Sequence, residues 1–207
     1  MAHSFPTRRS SDLTVAHLEK VPLRTVLSLP TAVGTVLAVC QYGAVPFLTT
    51  FAVDEWKITA SQAATVLIVG RLFSILAKVI GGASADRIGA KRSARRTSVV
   101  LTAAGLAWVL LPGNLAIYGV AAVYAGGVST LGPVANMLAV ERFGQNGMAL
   151  GMYRSIQIAL GALASAIVGW VAERVGLRPT LTVAAALVPL ALLYICREPR
   201  RSRAAAA

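Results

Sequence analysis

Six runs of apolar residues follow one another along the chain, separated by short polar interruptions. A helix crossing a bilayer needs about 20 predominantly apolar residues, and each run is long enough, so the pattern predicts six spans. They extend from about Leu27 to Phe51, Ser61 to Ala85, Ser93 to Leu111, Leu115 to Val140, Gly147 to Ala172 and Arg178 to Cys196. Pro30 and Pro46 punctuate the first; such prolines are tolerated where neighbours satisfy the freed carbonyls. Gly126-Gly127 and Gly132-Pro133 are expected to break the fourth. Asp54-Glu55-Trp56-Lys57 reads as a polar turn with an interfacial tryptophan, and Glu141 to Asn146 as a loop.

Polar residues are not spread evenly over these spans. They gather in the first, second, fourth and fifth, while the centres of the third and sixth are nearly pure Ala, Val and Leu. Polar groups facing lipid are costly, so those four spans should face an aqueous cavity. The candidate cavity residues are Gln41, Tyr42, Arg71, Ser74, Asn136, Arg154 and Gln157. Arg71 is the sharpest. Ten residues from Ser61, it lies about 15 Å along a helix rising about 1.5 Å per residue. That is near the middle of a hydrocarbon core about 30 Å thick. A central Arg costs at least about 2.5–3.5 kcal/mol, so it must face water, a partner or a substrate. Lys78 follows two turns later on the same face. Two readings stay open for Arg71: it binds an anionic group with help from Arg154 or Lys78, or it pairs structurally with a group outside this chain. None of the eight acids, Asp12, Glu19, Asp54, Glu55, Asp86, Glu141, Glu173 and Glu198, falls mid-span. If transport is proton-coupled, the titrating carboxylate lies elsewhere.

Composition agrees with a membrane bundle. The 207 residues are 56% hydrophobic and only 14% charged, and the mean hydropathy is +0.68. A net charge of +12 would suggest nucleic acid in a soluble protein. Here the basic residues flank apolar runs, which points to membrane topology and no nucleic-acid partner. With both termini placed in the cytoplasm, the inner segments hold fourteen Lys and Arg and the outer loops three, Lys57, Arg174 and Arg178. Setting aside Met1 to Leu13 leaves twelve against three. That polar, Ser/Arg-rich stretch is unlike the apolar runs after it; it reads as foreign to the fold or as a disordered tail, with no signal-peptide core. Residues 14–197 are then a six-helix transmembrane unit and 198–207 a basic cytoplasmic tail. Cys40 and Cys196 fall inside apolar runs and read as buried thiols, with no metal-ligand spacing.

Between the second and third spans lies Gly82-Ala83-Ser84-Ala85-Asp86-Arg87-Ile88-Gly89-Ala90-Lys91-Arg92. It reads as a tight basic turn. Gly89 can take positive φ at no steric cost, and Asp86 is expected to end one helix and to pair with Arg87 or cap the next. The pattern G-x-x-x-D-R-x-G-x-K-R resembles the loop signature of the major facilitator superfamily of secondary transporters. The resemblance assigns Gly82, Asp86, Arg87, Gly89, Lys91 and Arg92 to gating and says nothing of the substrate. A weaker copy, G-x-x-x-E-R-x-G-x-R, begins at Gly169, 87 residues after Gly82. That offset is about three spans, and an odd number of spans must invert the copy. The expected fold is an all-α membrane protein, six helices as a 3+3 inverted repeat. The superfamily's full transporter has two such halves, and this chain resembles one, the C-terminal. Its implied partners are the lipid bilayer, a small-molecule substrate and a missing N-terminal half or second copy. The implied place is the inner (plasma) membrane, with no cofactor. The reading is a secondary transporter acting by alternating access, for an organic or inorganic anion. The alternatives are a drug or sugar carrier half with a structural Arg71, and a non-transporting fragment or scaffold. Motifs of hydrolases, zinc proteases, P-loops and dinucleotide binders are not found, so an enzyme is not expected.

Overall fold

The computed structural model describes residues 28–111, 116–144 and 146–196. Regular structure among them is helical throughout. The first helical unit is α1 (Leu29–Ala38), a π-helical segment (Val39–Ala44) and α2 (Phe47–Trp56). Then come α3 (Ala60–Ile88), α4 (Ala90–Leu110), α5 (Ala116–Phe143) and α6 (Gly147–Val175). The last unit is α7 (Leu177–Thr182), a second π segment (Val183–Leu187) and α8 (Val188–Ile195). Three helices are long and apolar enough to cross a membrane: Ala60–Ile88, Ile117–Phe143 and Gly147–Val175. The first unit joins them if its two parts, bent by 47°, count as one span. α4 is long enough, but Lys91, Arg92, Arg95 and Arg96 occupy its first two turns. The apolar stretch Leu177–Leu193 is shorter. Met1 to Leu13, the basic tail and Pro112-Gly113-Asn114 lie outside the described residues.

The helix ends follow from local chemistry. Thr59 caps α3: its Oγ1 accepts from Gln62 N at 3.3 Å, and Gln62 Oε1 accepts from Thr59 N at 2.9 Å. These reciprocal bonds satisfy two otherwise orphaned donors. Asn146 caps α6 by accepting from Ala149 N at 3.0 Å. At the other ends of these helices stand Gly89 (φ 85°) and Gly176 (φ 97°). Each donates its N–H to the residue four back, Ala85 O and Ala172 O, at 2.9 Å. Only glycine takes such φ without strain, so each junction is a single residue. α3 and α6 both have 29 residues, and both their N-caps and their terminal glycines are 87 positions apart.

Four expectations change. The signature is no extended loop: α3 runs past Asp86 to Ile88, and α4 starts after Gly89 alone. Asp86 neither ends the helix nor caps the next, whose N-cap Gly89 has no side-chain bond. Gly126-Gly127 and Gly132-Pro133 do not break α5, which holds Pro133 in its interior. Trp56 turns inward and does not stand on the surface. It is 9% exposed and packs edge-on to Phe51 at 5.3 Å, in a ring cluster completed by Trp108 and Tyr124.

Close helix approach depends on small residues, as it does where lipid supplies no hydrophobic drive. The most extensive pairing is α3 on α5. A Cβ on Gly81 would stand 2.7 Å from Thr130 O. Thr130 Oγ1 donates to Ala77 O at 3.1 Å, and Ser74 Oγ to Ala125 O at 3.2 Å. The first π segment packs on α6 in the same way, with Gly43 against Val168. Gly43 and Thr130 are 87 positions apart, as are Gly81 and Val168, so the small residue has changed partner between the two contacts. α4 packs on the last unit, where Gly105 lies against the Ala185 carbonyl. Cys40 and Cys196 are buried free thiols.

Candidate functional site

α1, the first π segment, α3, α5 and α6 line a cavity of about 660 Å³. All seven candidate cavity residues line it: Gln41, Tyr42, Arg71, Ser74, Asn136, Arg154 and Gln157, with Lys78 beside them. α4 and the last unit contribute nothing to its wall. Gln41 and Tyr42 come from the π segment, which closes with Val45 N donating to Cys40 O at 3.0 Å, five residues back. Pro46 follows after Val45. A proline ring clashes with the carbonyl four residues earlier and brings no N–H, so widening the helix just before it relieves the conflict. Such π segments recur at functional sites.

The polar groups differ in how they are held. Ser74 is buried, and its hydroxyl is shared between Gly70 O and Ala125 O; it ties α3 to α5 more than it offers a free donor. Arg154 Nη1 donates to Gln157 Oε1 at 2.6 Å. Gln157, itself buried, points its amide nitrogen at Gly34 O at 3.5 Å. Gly34 makes room: a Cβ there would lie 3.2 Å from Gln157 Nε2 and 3.1 Å from Tyr153 Oη. Tyr42 lies across Gly161, whose added Cβ would come within 2.5 Å of the ring. Arg71 and Lys78 are exposed to the cavity, and neither has an ion pair among the described residues. Among the described residues no acid lines the cavity. Beyond Arg71 the space narrows to about 20 Å³ among Val45, Leu48, Val66 and Leu67. Gly34 and Gly161 escaped the sequence reading, because a glycine in an apolar run carries no sign of what it faces.

The signature residues stand apart from this cavity. Asp86 is fifteen residues beyond Arg71, about 22 Å along the helix, and Asp86, Arg87 and Gly89 are exposed. Gly82 has open space where a side chain would project. Ser93 Oγ donates to Ser84 Oγ at 3.1 Å and ties α4 to the end of α3. The 87-shifted copy lies around Gly176, where Arg174 stacks 4.0 Å over Trp170 and Arg178 pairs with Glu55 at 3.4 Å.

Residues 31–207 match the family model of the Major Facilitator Superfamily. The chain belongs to the major facilitator superfamily. A relative in the same group is the uncharacterized MFS-type transporter YfnC of Bacillus subtilis (strain 168), 31% identical over 149 residues. The match takes in 71% of this chain and 36% of that protein, so the chain spans little more than a third of the relative's length. Membership in this family of transporters, with its long apolar helices, makes the chain a multi-pass membrane protein. The superfamily signature and the cavity are thus two separate places on one helix, α3.

Proposed function

We propose that this superfamily chain is one half of a secondary transporter that binds a small anion and works by alternating access. The carrying observation is the cavity itself: among the described residues its wall holds three cations, Arg71, Lys78 and Arg154, and no acid. Unpaired cations in a partly desolvated site attract an oxyanion, and guanidinium presents a planar fork of donors suited to it. The six-span 3+3 inverted arrangement belongs to this reading. Equal helix lengths, equivalent caps, matching glycine junctions and the exchanged small-residue contacts, all at an offset of 87, support it. The basic bias of the flanking segments supports cytoplasmic termini in the plasma membrane. The signature is then a gating element at the cytoplasmic surface. The broad apolar faces of α3 and α6, with Leu72, Phe73, Leu76 and Ile167 exposed, suit lipid and a second half or copy.

The test is anion binding by the purified chain in lipid nanodiscs. Arg71→Lys keeps the charge but loses the fork, and should weaken binding while the fold stays intact. Arg71→Ala should abolish it; unchanged affinity in well-folded Arg71→Ala overturns the substrate role. One observation favours a second reading. Arg71 also borders an apolar groove on the outer flank of α3, beside Ile68 and Leu72, where a carboxylate of another half could reach it. That reading expects Arg71→Ala to lower the melting temperature of the assembled carrier, with rescue on removing the partner acid.

A further inference from the structure

The cations of the cavity are not at one level. Contacts between the first helical unit and α6 rise in step along both: Gly34 with Gln157, Tyr42 with Gly161, Gly43 with Val168. Arg154 precedes Gln157 and so lies at or beyond the level of Gly34. Arg71 shares the narrow end of the cavity with Gln41 and Val45. From Gly34 to Gln41 is seven residues, so the two guanidinium-bearing levels are about 10–15 Å apart at the backbone. Lys78 lies seven residues from Arg71 along α3, on the Arg154 side of it. Between the two levels the wall is mixed, with apolar Leu37, Ile75 and Ile158 beside polar Tyr42, Ser129 and Asn136. At about 660 Å³ the space is in the range that holds whole organic ligands, roughly 300–1,000 Å³, and far exceeds what one oxyanion fills.

We infer that the substrate is an elongated organic dianion, with one anionic group at Arg71, a second at Arg154 and Lys78, and a spacer passing Leu37, Ile75 and Ile158. The inference rests on the anion reading above and narrows it. A compact inorganic oxyanion reaches one level and leaves the other cations repelling each other unpaired. A dianion of matching length neutralises both levels, and its second contact is made intramolecularly once the first is in place. Gln157 positions Arg154 by holding its Nη1.

The probes are a series of straight-chain dicarboxylates of increasing length, the monocarboxylates of equal length, and inorganic phosphate. Each is titrated calorimetrically into the purified 207-residue chain in nanodiscs. Affinity for dicarboxylates should climb with length to an optimum and there exceed the matching monocarboxylate at least tenfold. Arg154→Gln should bring the best dicarboxylate down to the monocarboxylate level, with thermal melting confirming the fold. Phosphate or a monocarboxylate binding as tightly as the best dicarboxylate, or an affinity flat in chain length, overturns the inference and leaves the anion reading standing. No saturable binding of any of these anions overturns both.

Discussion

At the scale of single residues, Gly34 governs a charge it never touches. Its missing side chain lets Gln157 and Tyr153 close on α1, and Gln157 in turn holds Arg154. Gly34→Val should push Gln157 away and release Arg154. Dianion affinity should fall several-fold while Arg71-dependent binding of a monocarboxylate persists, as titration of the two ligand types would reveal. Gln157→Glu makes the opposite test of sign. A carboxylate beside Arg154 neutralises it, so dianion affinity should drop at least tenfold at neutral pH. Arg71 was legible in the sequence because a charge in mid-span has so few places to go. Gly34 was not, since its role lies in a neighbour found 123 positions away.

At the scale of elements, two prolines 87 positions apart behave differently. Pro46 follows a π segment and a 47° bend, while Pro133 sits inside continuous α5. The π segment before the bend supplies Gln41 and Tyr42 to the cavity wall. The single-residue junctions at Gly89 and Gly176 depend on positive φ. Alanine at either should cost about 1–3 kcal/mol, the usual cost of holding a side-chain-bearing residue in a sparsely populated region, and thermal melting in detergent measures it. Asp86 makes no ion pair or hydrogen bond among the described residues and stands about 22 Å from Arg71. Asp86→Asn should therefore leave anion affinity of the chain unchanged within twofold and slow turnover in an assembled carrier. A large loss of affinity with normal turnover would contradict a gating role.

At the scale of the whole molecule, the polar faces of four elements converge on one side, and α4 with the last helical unit packs behind them. A cavity walled by this chain alone leaves Arg71, Lys78 and Arg154 facing an open flank. Each polar group left to lipid is costly, so the isolated monomer should catalyse no solute flux in liposomes; flux from a verified monomer would refute the need for a second half. Orientation has its own test. Cysteine placed at the exposed Arg87 should label from the cytoplasm and at Ile58 from outside, against little background from the buried Cys40 and Cys196.

Much of this was legible in the linear pattern. Helical class, family and the grouping of polar residues on the first, second, fourth and fifth spans follow from a local rule: a residue type inside a bilayer carries its own transfer cost, whatever its neighbours. The 87-residue offset is legible for the same reason, as turn glycines and caps obey local backbone chemistry. Three features were decided only by tertiary structure: Trp56 turned inward onto Phe51 and Trp108, Pro133 kept within a helix, and Gly34, Gly81 and Gly161 chosen for contact. Each depends on what the facing helix offers at that point, and close packing between distant segments is invisible to composition or spacing.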